Sequence, residues 1–149
     1  MIEPGTILYE RIRLSHLSAF AGTINGSSDA ISCVIGSTKL DDGALMALSA
    51  GLEARGYPKT QMTLIERDEA QPESLADAVE ALDPLVVVIT DRASVEAASR
   101  AYNVALALES EELLLGRPCR CFEDFPTLLA TEEGKRRAWG VLSSLPHRR

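Results

Sequence analysis

The stretch Leu82 to Ala101, LDPLVVVITDRASVEAASRA, decides the fold. Five apolar residues, Leu85 to Ile89, run without a break between Pro84 and Thr90-Asp91-Arg92. A short run dominated by β-branched residues reads as a strand buried on both faces. Such a strand needs helices on both sides and a parallel sheet around it. Behind it, Val95, Ala98 and Tyr102 fall on one helical face, with Thr90 or Asp91 as the cap. The small residues Ala93, Ala97, Ala98 and Ser99 predict close packing of that helix against the sheet.

Toward the N-terminus, Asp83-Pro84 stops a preceding helix, because the residue before proline avoids helical geometry. Pro72 suits that helix's first position, with Glu73 in the favourable first turn and Leu75, Val79 and Leu82 as its buried stripe. Gln61 to Glu66 (QMTLIE) reads as a strand, and Glu66-Arg67-Asp68-Glu69 must leave the sheet. Asp41-Asp42 opens a helix that runs to Arg55, with Leu45, Leu48 and Leu52 on one face and Gly56 as its left-handed stop. Ala30 to Ile35 (AISCVI) is the first strand. Gly22 to Asp29 (GTINGSSD) is a loop by composition, and Thr6 to Ala21 is a helix.

Toward the C-terminus, Val104 to Leu115 is expected to hold a short helix around Ser110 to Leu115. Pro118 to Phe122 (PCRCF) reads as a last strand at the sheet's edge. Asp124 and Pro126 look like a helix start. Thr131 caps the final helix, with Glu132 and Glu133 in its first turn. Ala138, Val141, Leu142 and Leu145 face inward there, and Trp139 covers the core with its indole edge exposed. Strands alternate with helices throughout, which gives the α/β class, a three-layer α/β/α sandwich with a mainly parallel four-stranded sheet. The 149 residues form one domain, with residues 1–29 as N-terminal helix and loop and 30–145 as the core.

Hydrophobic residues make up 46% and charged residues 25%, which predicts a folded chain rather than disorder. No apolar run is long enough to span a bilayer, and no signal segment opens the chain, so a cytoplasmic protein without membrane contact is expected. Net charge is −7, but residues 1–116 carry −10 and residues 117–149 carry +3. A nucleic-acid surface is usually basic. Here only Lys135, Arg136 and Arg137, with the terminal arginines, could supply one; a solvated helix face and a frayed tail are the plainer reading. Cys33 reads as a small core hydrophobe. Cys119 and Cys121 are read onto opposite faces of a strand. With two histidines, His16 and His147, the chain lacks the ligands of a zinc or iron–sulfur site, so no metal or cofactor is expected.

In parallel sheets ligands bind beyond the carboxyl ends of the strands, where strand order reverses. The turn Gly36-Ser37-Thr38-Lys39 sits at such an end and could hold an anion at a helix start, although it lacks the P-loop glycine and Ser/Thr. Glu66, Thr90, Asp91 and Arg92 leave two other strand ends and complete the weak ligand-binding candidates. Asp41 and Asp42 are weak catalytic candidates as water-activating carboxylates; Asp41 as the helix cap and Asp42 in its first turn is the plainer reading. Glu123-Asp124 reads as a surface pair or cap. A pocket lined by Gly36, Asp41, Glu66 and Thr90 would favour a ligand.

Three segments then carry a family likeness. ALMALSAGLEARGYPKTQMTLIE (Ala44 to Glu66), LDPLVVVITDRASVEAA (Leu82 to Ala98) and LLATEEGKRRAWGVLSSL (Leu128 to Leu145) resemble, in order, segments of the uracil-DNA glycosylase superfamily, particularly its bacterial and archaeal iron–sulfur branch. The closing Leu-Leu, Lys-Arg, Trp, Leu pattern is the most specific. The resemblance implies strand order 2-1-3-4 and a DNA-repair or replication setting. The family's catalytic positions are missing. After strand one, the family's Gly-Glu, Pro-Gly and acidic pair are reduced to Gly36 and Asp41-Asp42. Asp124-Phe125-Pro126 stands where the family has His-Pro, Glu66-Arg67 where it has a base-reading Asn, and the cluster cysteines have no counterparts. The chain is also similar to the psi subunit of the bacterial replicative clamp loader in its size, its closing helix and its lack of an active-site motif. The expectation is a degenerate, non-catalytic member acting through an unknown protein partner, through self-association or as a DNA-metabolism accessory. The alternatives are a small-molecule or nucleotide-binding domain using the turn after strand one, and an active base-excising hydrolase.

Overall fold

A computed structural model describes residues 24–26, 31–37, 40–66 and 73–148. The expected helix at Thr6 to Ala21 lies outside the described residues, as do Thr38, Lys39 and Pro72. The described chain forms strands β1 (Ile24–Gly26), β2 (Ser32–Gly36), β3 (Met62–Glu66), β4 (Val86–Ile89), β5 (Glu112–Leu114) and β6 (Arg117–Cys121). Its helices are α1 (Asp42–Glu53), α2 (Glu73–Leu82), α3 (Arg92–Tyr102), α4 (Phe125–Leu128) and α5 (Glu132–Ser143).

All six strands join one sheet, in the order β1-β3-β2-β4-β6-β5. The inner four are parallel; Val34 sits in register with both Leu64 and Val88, and Val88 with Arg120. Their relative order is the expected one. The two edges differ from expectation: β1 and β5 are short antiparallel additions, so the sheet has six strands among the described residues instead of four. Part of the expected loop at Gly22 to Asp29 is thus strand β1, and the expected helix at Ser110 to Leu115 is replaced by β5 and its turn. Leu115 (φ 49°) and Gly116 (φ 83°) both lie in the left-handed region, the signature of a two-residue hairpin turn. That turn draws β5 back onto β6, so β6 is an inner strand.

The strands alternate between two cores. Cys33, Ile35, Val87 and Ile89 pack with Leu75, Val79, Val95 and Ala98 of α2 and α3. Val34, Val86 and Val88 pack with Leu48, Leu52, Phe125 and Leu142 of α1, α4 and α5. Helices therefore cover both faces of the sheet. The full burial of Val86 to Ile89 follows from this, since neither face meets water. Cys119 and Cys121 share one face, because residues two apart along a strand point the same way. This corrects the opposite-face expectation; their sulfurs stand 3.9 Å apart.

The C-terminal segment is tied down, not frayed, as far as Arg148. The Arg55 Nε–H donates to Leu145 O at 2.9 Å, the Tyr57 hydroxyl to Pro146 O at 2.6 Å, and the Arg148 N–H to Arg55 O at 2.7 Å. Gly56 (φ 92°) makes this possible, because a Cβ there would stand 2.3 Å from Arg148 O. Arg120, buried on β6, donates to Ser144 Oγ at 2.7 Å and Ser144 O at 2.9 Å, joining the sheet to the carboxyl end of α5. The negative end of a helix dipole suits that buried cation.

Candidate functional site

Strand order reverses between β2 and β4, since one crossover from β2 leads to β3 and the next leads back past it to β4. Ser37 and Thr90-Asp91 therefore meet at the switch point. The Asp91 carboxylate accepts from Ser37 N–H at 2.8 Å, from the Ser37 hydroxyl at 2.7 Å and from Ser94 N–H at 2.8 Å. It is both the N-cap of α3 and the clamp on the β2 turn. Burial alone would raise its pKa, but the hydrogen bonds from Ser37 and Ser94 outweigh that and hold it below the usual carboxylate range. Thr90 donates to Ile35 O through N–H at 3.0 Å and through its hydroxyl at 3.2 Å. The Phe125 N–H donates to Thr90 O at 2.9 Å. The polar groups at the strand ends are thus spent on one another. At the switch point itself lies a hollow of about 230 Å³ lined by Ser37, Leu40, Thr90, Asp91, Ala93, Asp124 and Pro126, and a polar one of about 470 Å³, which includes Arg92, Glu123 and Arg137, shares Asp124 with it.

Of the sequence candidates, Ser37, Thr90 and Asp91 meet there; the other described ones do not. Gly36 is buried at the end of β2, opposite the exposed Glu66 of β3. Asp41 is exposed; its carboxylate accepts from Ala44 N–H at 2.8 Å as the N-cap of α1, and Asp42 is exposed in the first turn. The exposed Arg92 pairs with Glu123 at 3.0 Å, and Asp124 caps α4 by accepting from Thr127 N–H at 3.2 Å. Of the expected pocket lining, only Thr90 borders the hollow.

The basic segment is largely consumed as well. Arg117 binds Glu80 at 2.6 Å and Asp83 at 2.8 Å, Lys135 binds Glu132 at 3.2 Å, and Arg137 pairs with Glu109. Lys135, Arg136 and Arg137 stay exposed on α5, but two of the three are engaged by neighbouring carboxylates. Burial pushes the Cys33 thiol up to about 12, and the hydrogen bond to Cys121 followed by burial pushes Cys119 far up. Protonated, buried thiols are poor nucleophiles and poor ligands. Among the described residues no group of three His, Cys, Asp or Glu could hold a metal, and no helix is long and apolar enough to cross a membrane.

A larger hollow lies elsewhere. Helices α1 and α5 approach so closely that a Cβ on Gly51 would stand 2.5 Å from Leu142 Cδ1. Toward the N-terminal ends of both helices a groove of about 580 Å³ opens, with Phe125, Pro126 and Leu129 of the α4 segment in its lining. Ala44, Ala47 and Ala50 line its α1 side, and Trp139 and Leu142 its α5 side. Trp139 is 50% exposed and Met46, on the same helix as the alanines, 67%. Helix α5 meets the α4 segment tightly: a Cβ on Gly134 would stand 1.9 Å from Leu128 O. Sequence reasoning placed Trp139 at the surface but missed the groove. The three-residue spacing of Ala44, Ala47 and Ala50 was its one legible signal.

The chain matches no family model, and no curated protein matches it significantly.

Proposed function

We propose that this chain is a non-catalytic α/β domain that acts through protein contact, a member of the uracil-DNA glycosylase-like fold group in which the scaffold persists without the reaction. The carrying observation is the self-sealed switch point, where the Asp91 carboxylate is engaged by Ser37 and Ser94 and Asp124 by the cap of α4. A base-excising enzyme must hold a flipped base and stabilise its departing charge. A hollow of about 230 Å³ falls below the ~300–1,000 Å³ of ordinary ligand sites. Asp91 and Asp124 at its wall would repel an anion. Asp41, committed to its cap, lies in the lining of the α1–α5 groove and not of this hollow, and Asp42 is exposed in the first turn of α1. The parallel order β3-β2-β4-β6 agrees with the order the resemblance implies.

The test is release of free base from uracil-containing single-stranded DNA by the purified protein. No release above background is expected. Robust release that disappears in Asp41→Asn or Asp42→Asn would replace this reading with the hydrolase. A thermal shift with millimolar nucleotide or phosphate would replace it with the ligand-binding domain.

A further inference from the structure

We propose that Cys119 and Cys121 form a reversible oxidation site, a thiol pair beneath a strap, whose bridging bends β6 and frees the Arg120 side chain from α5. The proposal goes beyond the protein-contact reading and does not rest on it. Residues two apart on a strand share a face, and the two sulfurs stand 3.9 Å apart. Cys33 cannot compete. It is in register with Val87, and Val87 with Cys119, so two strand spacings, roughly 10 Å, separate Cys33 from the pair. Buried as they are, the two thiols are inert while covered. Part of their cover is irregular chain. Residues 104–111 join α3 to β5 with neither helix nor strand. Within them Leu106 and Leu108 pack, partly buried, against the core that contains both thiols. Asn103 and Glu109, both at φ 53°, bound this strap with left-handed turns. The Glu109 N–H donates to Cys121 O at 2.7 Å and the Ala107 N–H to Glu112 Oε1 at 3.2 Å, while the Glu109 side chain pairs with Arg137 at the surface. A segment held by so few bonds opens at far lower cost than the sheet beneath it.

With the strap open, hydrogen peroxide is small enough to reach the pair. One thiol loses its proton and its sulfur attacks a peroxide oxygen. Hydroxide leaves and takes up that proton as water, and a sulfenic acid remains. The second sulfur then displaces the sulfenic oxygen, which departs as a second water with the proton of the second thiol. One S–S bond forms, two S–H bonds and the O–O bond break, and the sulfurs are oxidised as the peroxide is reduced. A small thiol reverses the step by exchange. A bridge needs its Cβ atoms about 3.5–4.5 Å apart, whereas two extended residues span roughly 6.6 Å. Strand β6 must therefore bend at the residue between the cysteines, which is Arg120. Its guanidinium ties β6 to Ser144 Oγ and Ser144 O, so the bend draws it off the carboxyl end of α5.

The test exposes the reduced full chain to hydrogen peroxide under native conditions, blocks the remaining thiols with a maleimide in urea and digests with trypsin. Trypsin cuts after Arg120, so the peptides carrying Cys119 and Cys121 stay joined only through the bridge. The expected result is that joined pair, a chain lighter by two hydrogens, a Cys33 that takes the maleimide, and full reversal by dithiothreitol. Leu108→Ala, which loosens the strap and leaves the thiols in place, should speed bridging by at least about threefold with an unchanged circular-dichroism spectrum. In the bridged protein, amide exchange at Leu142 to Leu145 should rise by at least about tenfold, while α2 keeps its protection. Thiols that stay free in the native chain overturn the proposal, and so does a bridge that includes Cys33 or joins two chains. Bridging that appears only in urea strong enough to unfold the chain overturns it too. A rate indifferent to Leu108→Ala removes the strap as the gate, and a bridged protein with unchanged exchange at the end of α5 overturns the link through Arg120.

Discussion

The crevice between β2 and β4 and the groove between α1 and α5 are opposites. The crevice has the position of a ligand site in a parallel sheet, yet its donors and acceptors satisfy one another: Asp91 with Ser37 and Ser94, Thr90 with Ile35 and Phe125. The groove is lined mainly by apolar side chains, with Asp41 and Lys135 as the charged residues among them, and it leaves Trp139 half in water. Buried polar groups must be paired and apolar surface gains by being covered. The first region is complete in the isolated chain, and the second is completed by something that packs on it.

The sharpest way to break the contrast is at Gly134, which lets α5 close on the α4 segment whose Phe125, Pro126 and Leu129 line the groove. Gly134→Ala forces a Cβ against a backbone carbonyl that cannot swing aside, and should cost about 3 kcal/mol in urea unfolding. A near-neutral result would mean that the helices of this corner yield easily and that the groove has no fixed shape.

Nearly as large is the expected loss at Asp91. Asp91→Ala removes the N-cap of α3 and the acceptor of three hydrogen bonds, for about 2–3 kcal/mol. If the carboxylate were held for a ligand and not for the fold, stability would barely change. Its pH dependence follows from the lowered pKa. The stabilisation is fully present above the unfolded value of about 4 and fades as pH falls through the lower folded value. Wild type should therefore lose stability more steeply than Asp91→Asn as pH drops below about 4, seen in melting temperatures across an acid series.

Trp139→Ala should cost only about 1 kcal/mol in the monomer, since half of the ring already faces water. A much larger loss in dilute protein would make Trp139 a core residue and remove the contrast with the crevice. The smallest effect is expected away from both regions, at Leu115. A leucine at φ 49° in the β5–β6 turn is strained, and Leu115→Asn should stabilise by about 0.5–1 kcal/mol in the same melts.

Much of the fold was legible because the signals were local. The run Leu85 to Ile89 was expected to be buried between two helical layers; Val86 to Ile89 are, as β4, whereas Leu85 precedes the strand and is half exposed. Asp41, Thr131 and Asp91 cap α1, α5 and α3, as their places before apolar periodicity implied. The edges were less legible. Three-residue strands such as β1 and β5 have no periodicity of their own, and they exist because a neighbouring strand offers unpaired backbone groups. The same holds for the site. Ser37 and Asp91 are 54 residues apart, and no spacing rule announces their bond.

What the sequence determined by itself was therefore the class and the skeleton: a mainly parallel sheet, its central strand, the helices that follow each strand, and their caps. These follow from hydrophobic period, proline and glycine punctuation and capping chemistry, all readable within a few residues. Only the tertiary structure decided the use of the polar residues and the shape of the surface. It turned Asp91 into a clamp, distributed the C-terminal cations among Glu80, Asp83, Glu109 and Glu132, and set three alanines of α1 across from Trp139. Those outcomes depend on which distant segments meet, and that is settled by packing over the whole chain, not by any one stretch of it.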